Sequence, residues 1–200
     1  MGDGKLIKYA DDGEFTKNCI DRVVDEVLAE SGMGTIGIAH TRWATCGAKV
    51  SRNAHPHFDA TNRIYAVHNG IITNHTEIKA SYLKGVKLTS ETDTEVLVQY
   101  VAKQVVEGLP MVDALKNVGK VAGPASQWGL VIIDRQEPDK LYTYTNGSPL
   151  LIGFSPKEDQ IYVVSEKIAF QTFADCYLPT NDEEIFELSV NKIPELKKRY

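Results

Sequence analysis

Ile64-Tyr65-Ala66-Val67-His68-Asn69-Gly70-Ile71-Ile72-Thr73-Asn74-His75-Thr76-Glu77 is the stretch on which the reading of the fold turns. Its first five residues are mostly apolar and β-prone, and an Asn-Gly between apolar runs is, by local rules, a hairpin turn. The second half points elsewhere. Asn74 stands as an N-cap with Glu77 three residues on as its capping-box partner, which predicts a helix to Lys84 closed by Gly85. Little strand follows Asn69-Gly70 to pair back. The dipeptide is therefore open to two readings, a tight turn or a functional element at the end of a strand.

Working outward, residues 35–40 read as a strand interrupted by Gly37, and residues 4–10 as a short strand or extended lead-in. Between them, Phe15, Ile20, Val23, Val24, Val27 and Leu28 form a helical stripe over residues 14–30, with Gly32 as the stop. Downstream, residues 86–89 read as a short strand. Thr92-Asp93-Thr94-Glu95 repeats the capping-box pattern and puts Asp93 in the first turn of a helix reaching Glu107. A further helix follows Pro110 and ends near Gly119. From Gln127 the pattern changes to strands, over residues 127–134, 140–145, 150–154, 160–164 and 184–188, with a short helix at 167–174. Partly segregated helices and strands give an α+β class. Residues 1–190 form one domain, and the charged residues 191–200 read as a tail or linker.

The bulk numbers exclude several functions. Of 200 residues, 42% are hydrophobic and 24% charged, as in ordinary globular proteins. Asp plus Glu number 27 against 22 Lys plus Arg, a net charge of -5, with no basic stripe, which argues against nucleic acid as a partner. No apolar run approaches the ~20 residues of a membrane span, and no signal-peptide core opens the chain, so a cytoplasmic protein without membrane contact is expected. Cys19, Cys46 and Cys176 are scattered and read as reduced thiols.

Chemistry gathers in His40-Thr41-Arg42-Trp43-Ala44-Thr45-Cys46-Gly47 and in the fifty or so residues downstream of it. Arg42 offers a planar fork suited to a carboxylate, Trp43 can wall a ligand from water, and Thr45 can donate or accept. His55 and His57, with His40, invite a metal reading, but no carboxylate or thiol sits at ligand spacing, so no metal and no cofactor is expected. Asp93 can hold an ammonium. Asn69 offers a side-chain N–H and Gly70 a main-chain N–H unscreened by a Cβ. Two such donors aimed at one point make an oxyanion hole for acyl transfer. An amino acid with an acylated side chain, such as glutamine, fits this set.

The motifs TRWATCG (41–47), NAHPH (53–57), HNGIITNH (68–75), SETDTE (90–95) and GSPLLIG (147–153) resemble the glutaminase domain of class II glutamine amidotransferases. Among these, the resemblance is to the branch that passes ammonia from glutamine to fructose 6-phosphate, giving glucosamine 6-phosphate and glutamate. It implies an N-terminal-nucleophile hydrolase fold, a four-layer αββα sandwich with mainly antiparallel sheets, here without its first strands and helix. It also implies that Arg42, Trp43 and Thr45 belong to a loop closing over glutamine. In this scheme Arg42 binds the carboxylate, Asp93 binds the amino group, Asn69 and Gly70 form the oxyanion hole, and His55 supports.

Two features depart from the family. Cys46 stands where relatives carry His. The family's nucleophile is an N-terminal Cys opening a Cys-Gly-Ile segment, its own amine serving as base, and no such segment is present; Gly2 cannot replace it. The chain as given is therefore expected to bind glutamine without hydrolysing it. It meets fructose 6-phosphate only through isomerase domains absent here, and homo-oligomerisation belongs to the full-length enzyme. Two functional readings stay open: the glutaminase portion of that aminotransferase, or a catalytically dead glutamine-binding or interaction module.

Overall fold

The computed structural model describes residues 6–8, 16–29, 35–42, 47–155, 159–170, 172–174 and 176–198. Two sheets, every strand pair antiparallel, form its centre. The larger contains β1 (His57–Phe58), β2 (Ile64–Ile71), β3 (Gln127–Asp134), β4 (Leu141–Asn146) and β8 (Ile185–Leu188), in the order β1-β2-β3-β4-β8. The smaller contains β5 (Leu151–Ser155), β6 (Gln160–Val164) and β7 (Cys176–Pro179), in the order β6-β5-β7.

Strand alternation divides the larger sheet into two apolar faces. Ile64, Ala66, Leu130, Ile132, Tyr142 and Tyr144 pack against three helices: α2 (His75–Tyr82), α3 (Asp93–Val106) and α4 (Met111–Val121). On the other face Val67 and Val131 meet Leu150, while Phe186 and Leu188 meet Ile152 and Phe154 of the smaller sheet. Helices, large sheet and small sheet are thus stacked, the layered antiparallel α+β architecture the resemblance implies. A short 3-10 turn, Lys167–Phe170, lies beyond the small sheet, where a Cβ on Gly153 would meet the Phe170 ring at 3.2 Å. Helix α1 (Thr16–Ala29) leaves Ile20, Val24, Val27 and Leu28 exposed. Ile193 of α5 (Ile193–Lys197) is buried.

Asn69-Gly70 is not a hairpin turn. β2 runs through it, pairing Asn69 with Gly129 and Gly70 with Trp128. A partner strand about sixty residues downstream overrides the local turn preference, as tertiary pairing commonly does for strands. Residues 86–89 form no strand, because their donors are used locally: Val86 N–H goes to the Leu83 carbonyl and Thr89 N–H to the Glu95 carboxylate. Residues 35–40 form no strand among the described residues either, although Ile38 packs beside Val67 and Val131. The helix read over 167–174 is confined to the 3-10 turn. The two-residue β1 and the short β7 escaped the sequence reading.

Capping differs at the two helix starts. Thr92 caps α3, accepting from Glu95 N–H at 3.2 Å. Asn74 holds the N-cap position of α2 without making a capping bond. Its amide donates instead to the Val121 carbonyl at 2.8 Å and accepts from Gly123 N–H at 2.8 Å, pinning α2 to the end of α4.

Candidate active site

The end of β2, the start of α3 and residues 40–42 enclose a cleft of about 420 Å³. Arg42, His55, Asn69, Gly70 and Asp93 all line it. Trp43, Thr45 and Cys46 lie outside the described residues. Among the described lining residues, Arg42 and Asp93 are the two that carry a formal charge at neutral pH.

Gly70 is required where it stands. Its φ is +141°, and a Cβ there would lie 2.1 Å from the Gln127 carbonyl oxygen. No other residue tolerates that backbone or that approach. Asn69, one residue earlier, is exposed at the cleft, on the strand face opposite His68.

Asp93 is 5% exposed and is held by the main chain. Its Oδ2 accepts from Ile72 N–H at 2.8 Å and its Oδ1 from Thr94 N–H at 3.0 Å. Placement in the first turn of α3 sets the carboxylate in the favourable field of the helix N-terminus. Beside it, the buried Glu95 carboxylate accepts from the main-chain N–H and hydroxyl of both Thr89 and Ser90. Four donors satisfy that buried charge and fix the segment leading into α3.

Arg42 is half-buried and donates to the Ala48 carbonyl at 3.5 Å. The far end of its loop is latched. Glu91 accepts from Ala48 N–H at 3.2 Å, Asn53 Nδ2 at 3.1 Å and Arg52 Nη2 at 3.0 Å, and its own N–H donates to Asn53 Oδ1 at 3.0 Å. A Cβ on Gly47, whose φ is +78°, would strike Asn53 Nδ2 at 2.8 Å. The loop base is therefore tied to the segment that carries Asp93.

Three imidazoles cluster at the cleft, His40 and His55 lining it. The His55 ring centre lies 4.4 Å from that of His40 and 4.9 Å from that of His57. Burial is the first cause pushing all three below the ordinary histidine value. His40 falls to about 4, with His68 and Arg42 adding to the effect, and His57 to about 3, with the Lys8 ammonium next. His55 also moves down, by burial and then by the neighbouring imidazoles. All three are neutral at pH 7, which leaves Arg42 as the cation of the described cleft. Among the described residues, no group of three His, Cys, Asp or Glu side chains is arranged to hold a metal ion.

His68, Thr94, Gln127 and Ser148 also line the cleft, and the sequence reading assigned none of them a role. The only signal for His68 is a polar ring inside a β-prone run, a position that demands buried partners. Cys19 and Cys176 lie in α1 and β7, and neither lines the cleft. Among the described residues, no helix is long and apolar enough to cross a membrane.

The chain is 40% identical over 161 residues to a glutamine–fructose-6-phosphate aminotransferase (isomerizing) of Shouchella clausii, covering 80% of this chain and 26% of that protein. It is 36% identical over 187 residues to the enzyme of the same name from Streptococcus mutans, covering 92% and 30%. A solved structure titled as a predicted glutamine amidotransferase from Pseudomonas aeruginosa is 15% identical, with a TM-score of 0.45, over 70% of this chain and 63% of that one. The chain thus spans less than a third of the length of these aminotransferases. The family model for the glutamine amidotransferase domain matches residues 15–117, a span that contains every described cleft residue named from the sequence, and the chain belongs to that family.

Proposed function

We propose that the cleft binds L-glutamine and polarises its side-chain amide for acyl transfer. The observation that carries this reading is the charge complement of the cleft: one guanidinium, one carboxylate and neutral imidazoles. That set matches the zwitterionic end of an α-amino acid. Arg42 receives the α-carboxylate through its two-pronged fork. Asp93 has an oxygen lone pair beyond each main-chain bond and receives the α-ammonium. The side-chain amide then reaches Asn69 and Gly70. Asn69 Nδ2 and Gly70 N–H donate to the carbonyl oxygen as it gains charge. His55 closes the back of the site as a neutral ring, and the roles of Trp43 and Thr45 over the ligand rest on the family resemblance alone.

In the acyl transfer that the family resemblance implies, a thiolate attacks the carbonyl carbon, the amide nitrogen takes a proton from the nucleophile's base and leaves as ammonia, and water hydrolyses the resulting thioester to glutamate. The described residues supply the grip and the oxyanion donors for that sequence. The aminotransferase relatives carry names that specify fructose 6-phosphate, and we infer that the protein containing this chain delivers its ammonia there, yielding glucosamine 6-phosphate in a cytoplasmic homo-oligomer. Isothermal titration of the chain with L-glutamine tests the binding step. Saturable binding that Arg42→Ala abolishes is expected, and absence of binding overturns the reading. Formation of glucosamine 6-phosphate from glutamine and fructose 6-phosphate by the full-length protein tests the transfer.

A further inference from the structure

One buried titratable group in the cleft takes no part in gripping the amino acid or its amide. His68 is 3% exposed and directly precedes Asn69. Its two ring nitrogens reach two different elements. Nδ1 lies 3.0 Å from Thr94 Oγ1 in the first turn of α3, and Nε2 lies 3.3 Å from the main-chain carbonyl oxygen of Gln127, the first residue of β3. A carbonyl only accepts, so Nε2 carries the proton and Nδ1 accepts from the Thr94 hydroxyl. Burial keeps the ring in this neutral form.

Both contacts sit beside the groups proposed to hold substrate. The Gln127 carbonyl is the one that a Cβ on Gly70 would strike. Thr94 follows Asp93, whose Oδ2 lies 3.9 Å from His68 Nδ1. Ile72 N–H holds one oxygen of Asp93 and the Glu95 carboxylate holds the first turn of α3 to residues 89–90; neither set of bonds reaches the Gln127 end of β3. The ring of His68 spans the gap between that turn and the β2–β3 end.

We propose that His68 is a positioning residue: by joining Thr94 to the Gln127 carbonyl it fixes the Asp93 carboxylate relative to Asn69 and Gly70, and so sets where the substrate ammonium sits against the oxyanion donors. This rests on the reading that Asp93 receives the ammonium. A histidine that served only to fill the core would affect every ligand alike. One that places Asp93 affects only ligands that bear the ammonium.

The test uses His68→Phe, which keeps a buried ring without its nitrogens, and Thr94→Val, which removes only the hydroxyl. Each is titrated by calorimetry with L-glutamine and with glutaramate, which keeps the carboxylate and the amide but lacks the α-ammonium. The wild type is expected to prefer L-glutamine. Loss of one well-placed bond should weaken L-glutamine binding about tenfold in each variant and glutaramate binding less than about twofold. Equal losses for both ligands, or no loss for either, overturn the proposal while the ammonium assignment stands. A wild type without preference overturns that assignment and the proposal together. Should His68→Phe fail to fold, Thr94→Val decides by the same criterion.

Discussion

The main-chain N–H of Ile72 donates to Asp93 Oδ2 at 2.8 Å. This bond joins the residue just past β2 to the first residue of α3, and with the Thr94 N–H bond it gives each carboxylate oxygen one main-chain donor. Asp93→Asn cannot reproduce that pattern. If the amide oxygen takes the Ile72 bond, the amide NH₂ faces Thr94 N–H, donor against donor. We expect about 1–3 kcal/mol of lost stability from the unmatched buried groups, and a 10–100-fold rise in the Kd for L-glutamine from the lost charge, on the order of 1.5–3 kcal/mol. Urea unfolding and calorimetry read the two effects separately. Unchanged affinity would remove Asp93 from the binding scheme.

Gly70→Ala should be among the most damaging single substitutions in the chain. The new Cβ would lie 2.1 Å from Gln127 O and 2.9 Å from Trp128 Cα, both backbone atoms in the central ladder. Relief requires β2 and β3 to separate at the cleft, and a loss of at least ~3 kcal/mol is expected. Gly85→Ala is the internal comparison. Gly85 also has positive φ, at +82°, but a Cβ there meets nothing within 4 Å. Its cost should stay near ~1 kcal/mol, the strain of the backbone alone. Similar unfolding midpoints for the two variants would contradict this.

Much of this site is legible in the sequence, and the reasons are local. Asp93 is marked by the Thr92–Glu95 capping pattern, and α3 does begin there with Thr92 as its cap. β3 spans the residues read as strand because its β-prone run is uninterrupted. Legibility fails where a partner is distant. The Asn-Gly signal for a turn lost to pairing with Gly129 and Trp128, which no window around residue 69 contains. Asn74 has the composition of a cap yet spends its amide on Val121 and Gly123. The task of His68 exists only through Thr94 and Gln127, so nothing in its neighbourhood of sequence could specify it.

Acid should destabilise this fold before its carboxylates titrate. His40, His55 and His57 have an ordinary pKa near 6.5 when unfolded, and in the fold His40 lies at about 4 and His57 at about 3. Well above pH 6.5 neither state binds these protons, and the histidines contribute nothing to the pH dependence. As pH falls from 6.5 toward 4.5, the unfolded chain takes up protons that the folded chain refuses, so stability falls with pH. The held-down carboxyls of Asp59 and Glu91 add their own loss only nearer pH 4 and below. His57→Gln keeps a group able to reach Thr92 Oγ1, which His57 Nε2 meets at 3.0 Å, but cannot ionise. Its stability should vary less steeply between pH 6.5 and 4.5, by up to about 1.4 kcal/mol per pH unit. Urea unfolding at stepped pH values measures the slope, and an unaltered slope would show that His57 is not held neutral.

Arg42→Lys tests the carboxylate grip by geometry at constant charge. The loop that carries Arg42 is anchored at Ala48 through Glu91 and Asn53; the substitution gives up the 3.5 Å bond from Arg42 to the Ala48 carbonyl, which still accepts from Asn53 Nδ2 at 2.9 Å, so the loop base should persist. A lysine ammonium keeps the charge but is a point donor, whereas the guanidinium presents two parallel N–H groups to both carboxylate oxygens. Losing one charge-assisted bond of about 1.5–3 kcal/mol should raise the Kd for L-glutamine roughly 10–100-fold. The same factor should appear for glutaramate, which has the same carboxylate, whereas Asp93→Asn should spare glutaramate. The pair of variants thus assigns the two ends of the ligand separately. If Arg42→Lys weakened L-glutamine but not glutaramate, the guanidinium would not be meeting the carboxylate, and the assignment of Arg42 to that end of the ligand would fall.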